Sequence, residues 1–151
     1  MSTANKSLRN TFPLSTKAKI LIVDDNRYNR KILRNALLEA NKNLAKNFDI
    51  VEGRDGLDIL NFVVEDKKNF NTIKCIFTDE IMDYIDGSRT IELLKHMESN
   101  NKIKKIFTIS VLNVEDEGLN EIIKARGADY ILKKPLVNRD LEVIIEKVFE
   151  N

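Results

Sequence analysis

Ile73-Lys-Cys-Ile-Phe-Thr-Asp79-Glu-Ile-Met-Asp-Tyr-Ile-Asp-Gly87 places a short apolar run directly ahead of an acid-rich turn. Cys75, Ile76 and Phe77 read as a buried strand too short for a helix, and Asp86-Gly87 signals a turn or the start of a helix. Asp79 then stands where a strand gives way to a loop. In open parallel α/β sheets that carboxyl edge is where ligands bind, because the loops there splay apart and leave a crevice.

Outward from this stretch the same unit recurs. Lys19-Ile-Leu-Ile-Val23 is an unbroken apolar run, as expected for a central strand covered on both faces, and it ends abruptly in Asp24-Asp25. Asn26 is a good N-cap, and Tyr28, Ile32, Ala36 and Leu37 recur at helical spacing through Glu39. Asp49 to Glu52 reads as a second strand and Gly53 to Gly56 as a turn. Leu57, Leu60 and Val64 then mark a helix that runs out in the polar Glu65 to Asn71. Downstream of Asp79, Ile91, Leu94 and Met97 mark a third helix, Lys105 to Ile109 a fourth strand, and Leu119, Ile122 and Ile123 a fourth helix. Tyr130 to Leu132 is a fifth strand, and Leu141, Ile144, Ile145 and Val148 form a one-face stripe for a last helix. Five strands alternating with five helices predict an α/β fold with a parallel sheet, since parallel strands need crossover connections.

Composition narrows the function classes. The chain has 151 residues, 42% hydrophobic and 32% charged, which suits one soluble globular domain (residues 18–151) behind a flexible N-terminal tail (residues 1–17). Twenty-five Lys and Arg nearly cancel 24 Asp and Glu, so no global charge draws it to nucleic acid or membrane. The basic cluster Lys102, Lys104 and Lys105 reads as a charged loop, and no nucleic-acid partner is expected. A single cysteine, Cys75, excludes an internal disulfide and suits a reducing cytoplasmic setting. No apolar run approaches the roughly 20 residues that span a bilayer, so no membrane insertion is expected.

The alternation brings particular side chains to one edge. Asp24 and Asp25 follow strand one, Asp79 strand three, Ser110 strand four and Lys134-Pro135 strand five. Clustered carboxylates repel by about 4 kcal/mol per close pair at an effective dielectric near 20, so they bind a cation or hold a proton. A hard divalent ion with oxygen ligands answers this, and Mg²⁺ fits a site of few carboxylates completed by water and phosphate oxygens. A hydroxyl and an ammonium opposite it would cage a phosphoryl group, with Asp79 placed as nucleophile toward phosphorus.

In this order the residues resemble the receiver domain of a two-component response regulator. The resemblance rests on Asp24-Asp25, on Asp79 with Met82 and Asp86-Gly87, on Ser110, and on Gly127-Ala128 leading to Lys134-Pro135. It implies a flavodoxin-like, doubly wound sheet of order 2-1-3-4-5 and phosphorylation of Asp79 from a phosphohistidine donor. It also implies Mg²⁺ held by Asp25, Asp79 and the backbone carbonyl of Ile81, with Asp24 acting through water. Lys134 would pair with the phosphoryl group behind a cis Lys134-Pro135 bond, and Ser110 would move to meet it. Asn26 with Asn29-Arg30 resembles the run seen in receivers of hybrid histidine kinases and phosphorelays.

The resemblance further implies a monomer or weak dimer that catalyses only its own phosphorylation and dephosphorylation. Its partners would be a histidine kinase or histidine phosphotransfer protein. With the chain ending at Asn151 and no output domain in it, the signal is expected to pass through another protein. Some positions depart from the pattern. Asp83 replaces the usual proline, Ile85 a methionine and Ile131 the aromatic switch residue. Glu80 adds a negative charge beside Asp79. Asn41 to Asn47 and Val64 to Thr72 are longer than typical and are expected as surface loops. A Mg²⁺-dependent phosphohydrolase and a non-phosphorylated binding module are the competing classes; the first lacks the expected second acid, because Ile81 occupies its place.

Overall fold

The apolar runs form β1 (Ala18–Val23), β2 (Phe48–Gly53), β3 (Ile73–Asp79), β4 (Phe107–Leu112) and β5 (Tyr130–Lys133) in the computed structural model, which describes residues 11–113 and 117–149. They make one sheet of order β2-β1-β3-β4-β5 with every neighbouring pair parallel. Each parallel step needs a crossover, and helices supply it: α1 (Arg27–Ala40), α2 (Leu44–Asn47), α3 (Gly56–Lys68), α4 (Gly87–Ser99), α5 (Glu117–Ala125) and α6 (Asn138–Phe149). This is the flavodoxin-like, doubly wound arrangement. None of the described helices is long and apolar enough to cross a membrane.

Strand side chains alternate between two cores. Ile20, Ile22, Phe77 and Ile109 pack against Leu33 and Leu37 of α1 and the Leu141, Ile144, Ile145 and Val148 stripe of α6. On the other face Leu21, Val23 and Ile76 meet Ile59, Phe62 and Val63 of α3 and Leu94 of α4. β1 and β3 are neighbours, yet α1 leaves β1 toward one face while α4 follows β3 on the other. The crevice opens where the chain parts in this way, at the carboxyl ends of β1 and β3.

Several helical stripes are rotated from their sequence expectation. In α1 the core takes Leu33 and Leu37, whereas Tyr28 is 70% and Ile32 45% exposed. In α3 the buried large apolar residues are Ile59, Phe62 and Val63, with Val64 left outside and Leu57 and Leu60 half-buried. In α5 Ile123 is buried and Ile122 is exposed. A helix with apolar residues on more than one side carries two readable stripes, and the sheet chooses between them. β4 also starts two residues later than expected and runs on through Leu112. Lys105, ahead of it, pairs with Asp129 at 3.0 Å rather than entering the ladder.

The two stretches expected as plain surface loops are tied down. Asn41 to Asn47 contains the one-turn α2, with Leu44 buried. Val64 to Thr72 is largely the end of α3, where buried Asp66 accepts from Thr72 N (2.8 Å), Thr72 Oγ1 (2.8 Å) and Ile73 N (2.9 Å) and so fixes the start of β3. The leading segment, expected as a tail through Lys17, is described from Thr11 onward and lies against the domain there. Phe12 packs on Phe62 with ring centroids 5.6 Å apart. The fully buried Lys19 donates to Ser15 O (2.9 Å), Lys17 O (2.6 Å) and Thr72 Oγ1 (2.8 Å). Residues 1–10 lie outside the described residues.

Candidate functional site

Three acids meet at the crevice. One carboxylate oxygen from each of Asp24, Asp25 and Asp79 lies within 4.8 Å of the others. Asp24 is buried at the end of β1, and its Oδ1 accepts from Asn26 N at 2.9 Å. Asn26 caps α1 as its sequence predicts, its side chain accepting from Tyr28 N (2.8 Å) and Asn29 N (3.2 Å). Arg30, one turn further on, donates Nη1–H to the Asp24 carbonyl at 2.7 Å and Nε–H to Glu52 at 3.0 Å. Arg30 belongs to the Asn26 with Asn29-Arg30 run that the sequence singles out, but its hold on Asp24 was not legible there, because its acceptor is a backbone oxygen brought to it by the β1–α1 turn.

Asp79 closes β3, and its Oδ1 accepts from Glu80 N at 2.9 Å. Burial pushes its carboxyl up to about 6, helped by the Asp24 and Asp25 charges and opposed by Lys134 and the Glu80 N–H. Partial desolvation, Asp24 and Asp83 likewise push Asp25 above the ordinary carboxylate range. These acids hold protons too readily for solvated carboxylates. With Asp24 beside them, Asp25 and Asp79 offer three hard oxygen donors, a set suited to a divalent cation, which would offset the repulsion that burial amplifies.

Lys134 reaches the same place from the end of β5. Its Nζ lies 3.4 Å from Asp24 Oδ2, its N–H donates to Leu112 O at 2.8 Å, and the Lys134-Pro135 peptide is cis as expected. Gly87 answers to a close approach: a Cβ there would run into the Asp79 carbonyl oxygen, while Gly87 N donates to Glu80 O at 2.9 Å. Beside the acids lies a groove of about 350 Å³, walled by Asn29, Ile32 and Ala36 of α1 and by Pro135 and Leu136.

One expected site residue stands differently. Ser110 does not follow β4 but lies inside it, opposite Thr78 and one rung before the Asp79–Val111 pair. Side chains alternate along a strand, so Ser110 faces the side away from Val111 and Asp79; its Oγ is buried without a hydrogen-bond partner among the described residues. The strand-end position belongs to Leu112. The cause is the later register of β4, which moves the carboxyl edge two residues past Ser110. Ile81 does sit in the loop beyond Asp79, with its side chain exposed. Ile131 and Tyr130 are both half-buried in β5, with Lys147 Nζ 5.6 Å from the Tyr130 ring centre. His96 is exposed on α4 with its Nε2 3.1 Å from Asn100 Nδ2, in keeping with a solvated side chain.

Comparisons with known proteins agree with this geometry. Among relatives, hybrid signal transduction histidine kinase F of Dictyostelium discoideum is 28% identical over 138 residues, covering 91% of this chain and 12% of that protein. Hybrid signal transduction histidine kinase I of the same organism is 27% identical over 118 residues, covering 78% of this chain and 6% of that protein. The chain thus spans a small part of the length of these relatives. Among solved structures, a putative response regulator from Chloroflexus aurantiacus superposes with a TM-score of 0.71 at 17% identity, covering 89% of this chain and 99% of that one. A chain from the Saccharomyces cerevisiae complex of the histidine phosphotransfer protein Ypd1 with the receiver domain of its response regulator Ssk1 gives 0.70 at 19% identity, covering 91% and 90%. The family model of the response regulator receiver domain matches residues 20–146. With that match over most of its length and three acids at the head of a 2-1-3-4-5 sheet, the chain belongs to the response regulator receiver domains of two-component and phosphorelay signalling.

Proposed function

We propose that this receiver is a phosphoacceptor in which Asp79 takes a phosphoryl group from a phosphohistidine donor in a Mg²⁺-dependent reaction. The observation that carries the reading is the convergence of Asp24, Asp25 and Asp79 within 4.8 Å, with Lys134 Nζ 3.4 Å from Asp24. Asp25, Asp79 and the Ile81 carbonyl would hold the cation directly and Asp24 through water. When bound, Mg²⁺ supplies positive charge to the phosphoryl oxygens. A carboxylate oxygen of Asp79 forms the new P–O bond as the donor P–N bond breaks, and the bonding pair goes to the leaving imidazole nitrogen. Lys134 exchanges its contact with Asp24 for the phosphoryl oxygens. Ser110, two residues inside the end of β4, has no part in this scheme without a change of register.

The donor docks on the groove beside the acids, where Asn29 and Leu136 flank the approach to Asp79. A phosphohistidine donor is supported by the hybrid histidine kinases among the relatives. Release after transfer calls for a small contact, below about 1,200 Å². The domain acts as a signalling module in the reducing cytoplasm, a setting its one buried thiol suits, and turns over no substrate beyond its own phosphoryl group.

The test is labelling by acetyl phosphate and by a phosphohistidine protein, with and without EDTA. Label is expected on the wild type with Mg²⁺ only, and none on Asp79→Asn or Asp25→Ala. Label that persists undiminished in EDTA rejects the scheme.

A further inference from the structure

The acid next to Asp79 is engaged elsewhere than in the acidic cluster. Glu80 is 5% exposed, and its carboxylate accepts from Ser88 N at 2.6 Å and Ser88 Oγ at 2.7 Å. Asp86, at the N-cap of α4, makes no side-chain capping bond, so Glu80 satisfies the first turn of that helix from outside it. The Ser88 hydroxyl in turn accepts from Arg126 Nη1 at 2.6 Å. Arg126 follows α5, where its own N–H closes the helix on Ile122 O. A buried carboxylate, a hydroxyl and a guanidinium are thus joined in one charge-assisted chain.

The same residue is gripped by its backbone. Glu80 N–H donates to Asp79 Oδ1 at 2.9 Å, and Glu80 O accepts from Gly87 N at 2.9 Å. Fixing the Glu80 side chain therefore fixes the peptide that holds one oxygen of Asp79. An unheld carboxylate turns about its terminal bond and presents its oxygens indifferently; a held one meets an incoming phosphorus in one attitude.

We infer that Glu80 is a positioning residue for Asp79: with Ser88 and Arg126 it clamps the peptide that occupies Oδ1 and leaves Oδ2 to take the phosphoryl group. This rests on the phosphoacceptor reading above. It also makes the α5–β5 connection, through Arg126, a point from which events at Asp79 are felt and can be tuned.

Two measurements on the full chain test it. Amide hydrogen exchange at Glu80 should speed up about fivefold or more in Arg126→Gln and in Ser88→Ala, while amides in the middle of β1 and β3 keep wild-type protection. The rate of labelling at saturating acetyl phosphate should fall about tenfold in Glu80→Ala and about threefold in Arg126→Gln, with half-saturating Mg²⁺ unchanged. Glu80→Gln, which keeps an acceptor for Ser88 N, should restore most of the rate. Unchanged exchange at Glu80 in both remote variants overturns the inference, as does a shift in half-saturating Mg²⁺ in Glu80→Ala or a Gln variant as slow as Ala. Failure of the wild type to take label would defeat the phosphoacceptor reading, while the exchange experiment would still decide whether Glu80, Ser88 and Arg126 clamp the peptide.

Discussion

Asp79→Asn should make the metal-free protein more stable. The Asp79 carboxyl is pushed up to about 6 from its ordinary value of 3.8 by burial and by Asp24. Two units correspond to about 3 kcal/mol against the ionised form, and solvent screening of a half-buried group reduces this to about 1–2 kcal/mol. The sign follows from proton binding. Between about pH 4 and 6 the folded protein keeps a proton that the unfolded chain has lost, so wild-type stability falls as pH rises through that window. Below it both forms are neutral at this position and the variant gains nothing; above it the advantage is complete. For a chain of this size the gain is about 3–6 °C in Tm. Thermal and urea unfolding of both proteins in EDTA, at intervals from pH 4 to 8, measure it. Millimolar Mg²⁺ should then narrow or reverse the gap, because a ligand that binds only the native wild type stabilises it by mass action. A variant no more stable than wild type at pH 7.5 in EDTA, or a gap that ignores pH, would refute the electrostatic account of the site.

Asp66→Asn should cost about 2–3 kcal/mol in urea unfolding, because a buried carboxylate serving three donors is replaced by a group with one acceptor oxygen; a loss under about 0.5 kcal/mol would show that the start of β3 is held by other means. Gly87→Ala should destabilise by about 1–3 kcal/mol and slow labelling as well, since the new Cβ drives into the Asp79 carbonyl; normal stability with normal labelling would contradict the close approach. Asn29→Arg and Leu136→Glu should reduce transfer from a phosphohistidine protein and leave acetyl phosphate labelling unchanged; equal loss with both donors, or none with either, would move the docking surface away from the α1 groove.

Much of this protein is local in its own chain. The runs Ile20 to Val23 and Cys75 to Phe77 are apolar without interruption because strands covered on both faces have no solvent side, so their existence needs no tertiary knowledge. Their alternation with helical stripes dictates a parallel sheet, and acids placed at strand ends must then share one edge. Asp24, Asp25, Asp79 and Lys134 were legible for that reason. The α6 stripe was legible because one helix face carries nearly all its apolar residues. What the sequence could not decide was which of two partners a residue would find across the fold. The core-facing side of α1, the depth of Ser110 in β4 and the burial of Lys19 depend on the register and packing of distant segments. Lys19 meets Thr72 fifty-three residues away, and Arg126 meets Ser88 thirty-eight away. Glu80 reads in sequence as one more negative charge beside the site. Only the folding back of α4 and the end of α5 onto the loop after β3 turns that charge inward, where a helix start and a guanidinium balance it.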